Sequence, residues 1–264
     1  MKLIKTISFL TISLSSAFVA NSAIAGYSWT YTGSGETCPI GGCVESDTFA
    51  GKTVTSTATG WYSETTSGAS MQEANKLRVW DGLSVEATTA DTGTPNHATD
   101  NNGWYDSVLF DFGGDSVELD QVVMGWHQDT DFSLLRYTGN DTPALTGNSY
   151  SDLTATEGWE LVSNYFCSCS SSSSGSDISF NVNADNKSSS YWLVAAINPA
   201  YFDNNNYIGN DYFKIKTLAG SYVEPTVPPT AVSAPATGLL MLLGGMFLYS
   251  NARKREDQLN VMAA

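Results

Sequence analysis

The chain has 264 residues, 27 of them acidic and 12 basic, for a formal net charge of −15 at neutral pH. Such acidity repels phosphate backbones and anionic headgroups, which argues against nucleic acid and anionic lipid as partners. Hydrophobic residues make up 42% of the chain, enough for a core of one large or two small domains.

Lys2 and Lys5 precede the apolar run ISFLTISLSSAFVA, and Ala23-Ile24-Ala25 then supplies the small residues a signal peptidase accepts. Residues 1–25 therefore read as a secretory signal peptide, with the mature chain starting at Gly26; the apolar core is short for an uncleaved anchor. Setting aside this leader and the basic C-terminal segment leaves 7 basic against 25 acidic residues, a net charge of −18.

An exported chain meets an oxidising compartment, so its four cysteines read as disulfide partners ahead of metal ligands. Cys38 and Cys43 flank a Pro-Gly-Gly turn and suit a local bridge, leaving Cys167 and Cys169 to pair with each other or stay reduced. The alternative ties the Cys38 loop to the Cys167 segment and closes a much longer loop.

From residue 26 to 222 the sequence alternates short stretches rich in Thr, Val, Tyr and Trp with Gly, Asn, Asp and Ser. That pattern predicts an all-β fold, a single antiparallel β-sandwich of jelly-roll type. Strands are expected at Tyr27–Tyr31 and Lys52–Thr57, and a hairpin at Leu77–Glu86 around Asp81-Gly82. Ser107–Phe112, Val117–Trp126 and Asp131–Tyr137 follow, with Leu119, Val122, Met124 and Trp126 sharing one face. Ile178–Val182 comes next, then Tyr191–Ile197, apolar enough for a central strand buried on both faces, and Asp211–Leu218 closes the domain. Trp80, Trp126 and Trp192 are expected in the core, whereas Trp61-Tyr62, Trp104-Tyr105 and Trp159 sit beside turn or polar residues, where an exposed ring could stack on a sugar.

The Ser-Gly run 168–176 reads as an exposed loop. Residues 223–235 hold four prolines and read as a stiff linker. Residues 236–250 then form a short transmembrane helix, barely long enough to cross, and residues 251–264 a basic cytoplasmic tail in which Arg253, Lys254 and Arg255 hold the end inside.

Ser233-Ala234-Pro235-Ala236-Thr237, the apolar run and the basic cluster together resemble the PEP-CTERM class of bacterial sorting signals, in the SAPAT variant found in surface proteins of marine gammaproteobacteria. The resemblance covers roughly residues 232–255; the Glu of Pro-Glu-Pro is absent, and nine residues follow the basic cluster. Segments of the body, among them the stretch from His97 to Asp106 and Leu134–Gly139, resemble the same family. The resemblance implies a β-sandwich processed by an exosortase, transiently in the inner membrane and then at the cell surface or outside, in cells that export polysaccharide. It implies no catalytic residue.

The residues themselves agree: no nucleophile elbow, zinc-protease helix or phosphate loop occurs, and of the two histidines His97 lies in a polar loop and His127 just past a strand. Carboxylate pairs such as those drawn from Asp106, Asp111 and Glu118 arise by chance in so acidic a chain. No metal site or cofactor is marked outright. Calcium is the small ligand best suited to the oxygen-rich stretches Asp129-Thr130-Asp131, Asp100-Asn101-Asn102 and Asp203–Asn206, although none has the EF-hand spacing and turn capping explains such runs as well. The expected function is thus a non-enzymatic matrix or adhesive protein, the alternatives being a carbohydrate-binding module or an unprocessed single-pass anchor.

Overall fold

A computed structural model of the chain describes residues 23–64, 68–91, 97–167, 169, 176–202 and 210–225. The chain divides into two units at Glu224 and Pro225, and the described fold belongs to the first. Its strands begin with β1 (Ala23–Thr30), β2 (Glu36–Thr37), β3 (Cys43–Phe49), β4 (Lys52–Glu64), β5 (Gln72–Glu73), β6 (Lys76–Trp80), β7 (Gly82–Glu86) and β8 (Thr99–Asp100). After them come β9 (Trp104–Asp111), β10 (Val117–Gln128), β11 (Phe132–Tyr137), the helix α1 (Tyr150–Ala155) and β12 (Trp159–Tyr165). The last are β13 (Ile178–Asn181), β14 (Ser188–Ser189), β15 (Tyr191–Ala196) and β16 (Tyr212–Val223).

The strands form two antiparallel sheets, as the sequence pattern predicts. One runs β13-β10-β16-β7-β6-β2, with β1 and β8 also on β16 and β14 on β10; the other runs β12-β11-β15-β9-β4-β3, with β5 on β4. Along β4 the residues Val54, Ser56 and Ala58 turn inward while their neighbours stay partly exposed, the period-2 signature of a half-buried strand. β15 lies between β11 and β9 and is buried on both faces. Trp192, Val194 and Ala196 join the core between the sheets, whereas Leu193 and Ala195 join a second cluster with Leu153, Tyr150 and Trp159 from the α1 region. α1 starts on Ser149, whose side chain and that of Asp152 cap each other's backbone N–H groups.

Two tryptophans lace the sheets together. Trp29 Nε1 donates to Val54 O on the facing sheet at 3.0 Å, and Trp192 Nε1 donates in the opposite direction to Val117 O at 3.1 Å. Cys38 pairs with Cys43 and Cys167 with Cys169, each with Cα atoms 5.0 Å apart, so the local pairing holds and the long-range alternative does not.

β10 departs from the expected face pattern. Leu119, Val122 and Met124 are buried, but the pairing with β16 slips between Met124 and His127, so His127 turns inward and Trp126 is only half-buried. A bulge shifts every later side chain to the other face. Trp80 is 43% exposed, again contrary to expectation, because it ends β6 beside the Asp81 turn. Trp159 is the converse: it is buried under Tyr137.

β1 starts at Ala23, three residues before Gly26, and its backbone pairs Ala23 with Val223 and Ala25 with Ser221, with a bulge at Gly26. Ser233, Ala234, Pro235, Ala236, Thr237, Arg253, Lys254 and Arg255, the expected helix 236–250 and most of the 168–176 loop lie outside the described residues. Among the described residues no helix is long and apolar enough to cross a membrane.

Candidate functional site

Three segments converge where β16 begins. β8 pairs Asp100 with Tyr212 and Thr99 with Phe213, and Tyr212 N donates to Asp129 O at 3.1 Å, which brings the turn after β10 against the same strand end. Asp129 (φ 54) occupies the left-handed region, which Asp and Asn tolerate best among residues with a side chain. Asp131 follows at the head of β11, and Asp211 immediately precedes β16.

Asp129, Asp131 and Asp211 each present a carboxylate oxygen, and these oxygens all lie within 4.8 Å of one another. Their orientations are fixed from behind. Asn101 Nδ2 donates to Asp211 Oδ2 at 2.6 Å, Asp211 N donates back to Asn101 Oδ1 at 2.8 Å, and Asn101 Nδ2 also reaches Ile197 O. Asp131 N donates to Asp211 Oδ1 at 3.3 Å, while Cys167 N donates to Asp131 Oδ1 at 2.7 Å.

Asp211 and Asp131 are buried and Asp129 is half-buried. Burial pushes the Asp211 carboxyl up to about 8, with Asp131 and Asp129 raising it further against the Asp131 N–H and Asn101, which pull it down. Burial likewise raises Asp131 to about 6, opposed by the Cys167 N–H and aided by Asp129. Among the described residues the ion pairs lie elsewhere: Lys52 with Asp115, Lys76 and Arg78 with Glu86, Arg136 and Lys187 around Glu160, and Lys216 with Asp81 and Asp177.

A second acidic group adjoins the first through residues 99–101. Asp106 is 1% exposed, accepts the Asp100 N–H on Oδ2 at 3.3 Å, and leaves Oδ1 without a partner. Burial, followed by Asp100 and Asp91, holds its carboxyl well above the ordinary range. Among the described residues five buried side-chain atoms lack a hydrogen-bond partner, and four of them, on His97, Thr99, Asp106 and Thr130, belong to these same segments. Since buried polar atoms normally find partners, that concentration marks this end of the sandwich as incomplete by itself.

The structure thus brings together two of the three oxygen-rich stretches singled out in the sequence, those around Asp100 and Asp129. Asp203–Asn206 lies outside the described residues. Asp211 was legible only as the start of a strand, because nothing local announces that it meets residues eighty and more positions away. Asp106 and Asp111 sit at opposite ends of β9, about 16 Å apart by strand rise, too far for a glycosidase pair. Glu118 belongs to the other sheet.

A cavity of about 280 Å³ beside α1 is lined in part by Ser63, Tyr105, Ser149, Tyr150 and Asn198. Several of its polar groups are already committed: Tyr150 Oη to Tyr105 O and Ser107 Oγ, Ser149 Oγ to Asp152, and Asn198 to Ala196 O and Ala200 N. The carboxylate triad is chemically the more open of the two. Among known proteins, no family model and no curated protein matches this chain.

Proposed function

We propose that this is a non-enzymatic, exported surface protein, a jelly-roll-like β-sandwich sorted by an exosortase-type enzyme through its C-terminal signal and acting structurally or adhesively in an extracellular polysaccharide matrix. The observation that carries the reading is the order of parts after the body: β16 ends at Val223, and a proline-rich stretch, Ser233-Ala234-Pro235-Ala236-Thr237, an apolar run and Arg253-Lys254-Arg255 follow. A leader ending in Ala23-Ile24-Ala25 and a body of net charge −18 support export. Successive strands β9 to β16 pass repeatedly between the two sheets, which supports the jelly-roll-like reading.

The test is the mass of the mature protein recovered from outside the cell. The reading requires that residues 253–264 be gone from it, and that removal of the processing enzyme leave the full tail in the membrane fraction. Persistence of Arg253–Ala264 on extracellular material favours the plain single-pass anchor instead.

A second reading, carbohydrate binding, draws on one surface feature. Lys214 Nζ lies 5.3 Å from the Trp80 ring and 5.6 Å from the Trp126 ring, so two partly exposed indoles flank one ammonium. Lys214 is itself buried, so what the patch offers a ligand is the two partly exposed rings, which suit stacking on a sugar. A glycan array covering uronate-containing polysaccharides tests it: signal that Trp80→Ala abolishes supports binding, and background-level signal throughout removes it.

A further inference from the structure

We propose that Asp129, Asp131 and Asp211, together with the hydroxyl of Thr130, bind one calcium ion where β16 begins. The ion fits the donor set by reach and by hardness. The three carboxylate oxygens lie within 4.8 Å of one another, close enough for one ion to reach all of them at the roughly 2.4 Å of a calcium–oxygen bond. Every donor is a hard oxygen, which favours calcium over softer transition metals.

Charge alone does not make a site in so acidic a chain, and a second observation bears on this one independently. Thr130 stands between Asp129 and Asp131, is fully buried, and its Oγ1 has no hydrogen-bond partner. A buried hydroxyl costs free energy unless something bonds to it, and an ion at this strand end, directly or through a water it holds, would supply that partner. The donors are also preorganised: Asn101 clamps Asp211 while the Cys167 N–H holds Asp131, the kind of outer bracing that orients metal ligands. The same bracing links the ion to the Cys167–Cys169 bridge. None of this depends on how the tail is processed.

The test is calorimetric titration of the full chain, stripped with chelator, with calcium chloride, alongside melting in calcium and in EDTA. One ion per chain is expected, with a rise in Tm of about 5–10 °C when free calcium is a hundredfold above Kd. Asp129→Asn keeps a residue tolerant of the left-handed backbone while removing one charge; it is expected to weaken binding at least about tenfold without loss of the fold. Asp211→Asn is expected to do the same, and Asp47→Asn, an acid elsewhere on the surface, to leave affinity unchanged. The proposal is overturned if neither heat nor a Tm shift appears at 10 mM calcium, at about a thousandfold above the affinity of a sensor-class site. It is equally overturned if Asp129→Asn binds as tightly as the parent, which would place the ion elsewhere, or if magnesium binds more tightly than calcium.

Discussion

Trp29 and Val54 join the two sheets through a single indole hydrogen bond of 3.0 Å, from a side chain that is fully buried and packed against Tyr27 and Phe112. Trp29→Phe retains most of the ring area but removes the indole N–H that ties the Val54 carbonyl to the facing sheet and leaves a gap where the larger ring packed. The expected cost is about 2 kcal/mol, read as a lower midpoint in urea with an unchanged slope. Trp192→Phe, which removes the indole bonds to Val117 O and Ser189 O, is expected to cost a similar amount.

Asn101 makes three buried hydrogen bonds that join the strand-end turn to Asp211 and Ile197. Asn101→Ala leaves a carboxylate, an N–H and a carbonyl without that partner at once. A loss of about 2–4 kcal/mol is expected in chelator, and a weaker calcium response should accompany it. A neutral result in urea would show that water replaces the amide there.

Glu86 is the counterpart of the acidic end: a buried carboxylate that is fully compensated. It accepts from Asn75 Nδ2 at 2.7 Å, Lys76 Nζ at 2.9 Å and Arg78 Nε at 2.9 Å. Its carboxyl lies below the ordinary range even though burial, the largest influence, pushes upward; the bonds to Lys76 and Arg78 prevail. Glu86→Gln is expected to destabilise by about 2 kcal/mol at neutral pH. The difference from the parent should shrink as pH falls through the folded carboxyl's range, since the parent then loses the same charge.

Asp100 and Asp106 carry the opposite sign. Burial raises Asp100 to about 7 and Asp106 well above its usual value, so the folded chain holds protons that the unfolded chain releases near pH 4. Their contribution is therefore fully present below about pH 4 and is lost as pH rises through the folded values. In EDTA, Tm should fall between pH 5 and pH 8, and Asp106→Asn, which keeps an acceptor for the Asp100 N–H, should flatten that fall. Parallel slopes in parent and variant would refute the assignment.

The sheets were legible because burial follows a period of two wherever a strand is regular. The strand Lys52–Thr57, within β4, and the continuous apolar run Tyr191–Ile197 could be placed from sequence alone. Trp126 could not, since the slip between Met124 and His127 is set by how β10 pairs with β16 and leaves no mark in the local alternation. Trp80 failed for another reason: a large apolar ring beside a tight turn has no facing layer to enter. At the acidic end the sequence supplied the Asp100 and Asp129 stretches but not their meeting. That meeting depends on Asp211, joined to Asn101 across 110 positions.

The antiparallel register of β1 and β16 sets Ala23 opposite Val223, while the carboxylate triad adjoins Tyr212, eleven residues back along the same strand and so about 36 Å away by strand rise. Entry and exit of the folded body are therefore neighbours at one pole, and the acids crown the other. A cation taken up by Asp129, Asp131 and Asp211 would thus sit at the end of the described body opposite the pair Ala23 and Val223.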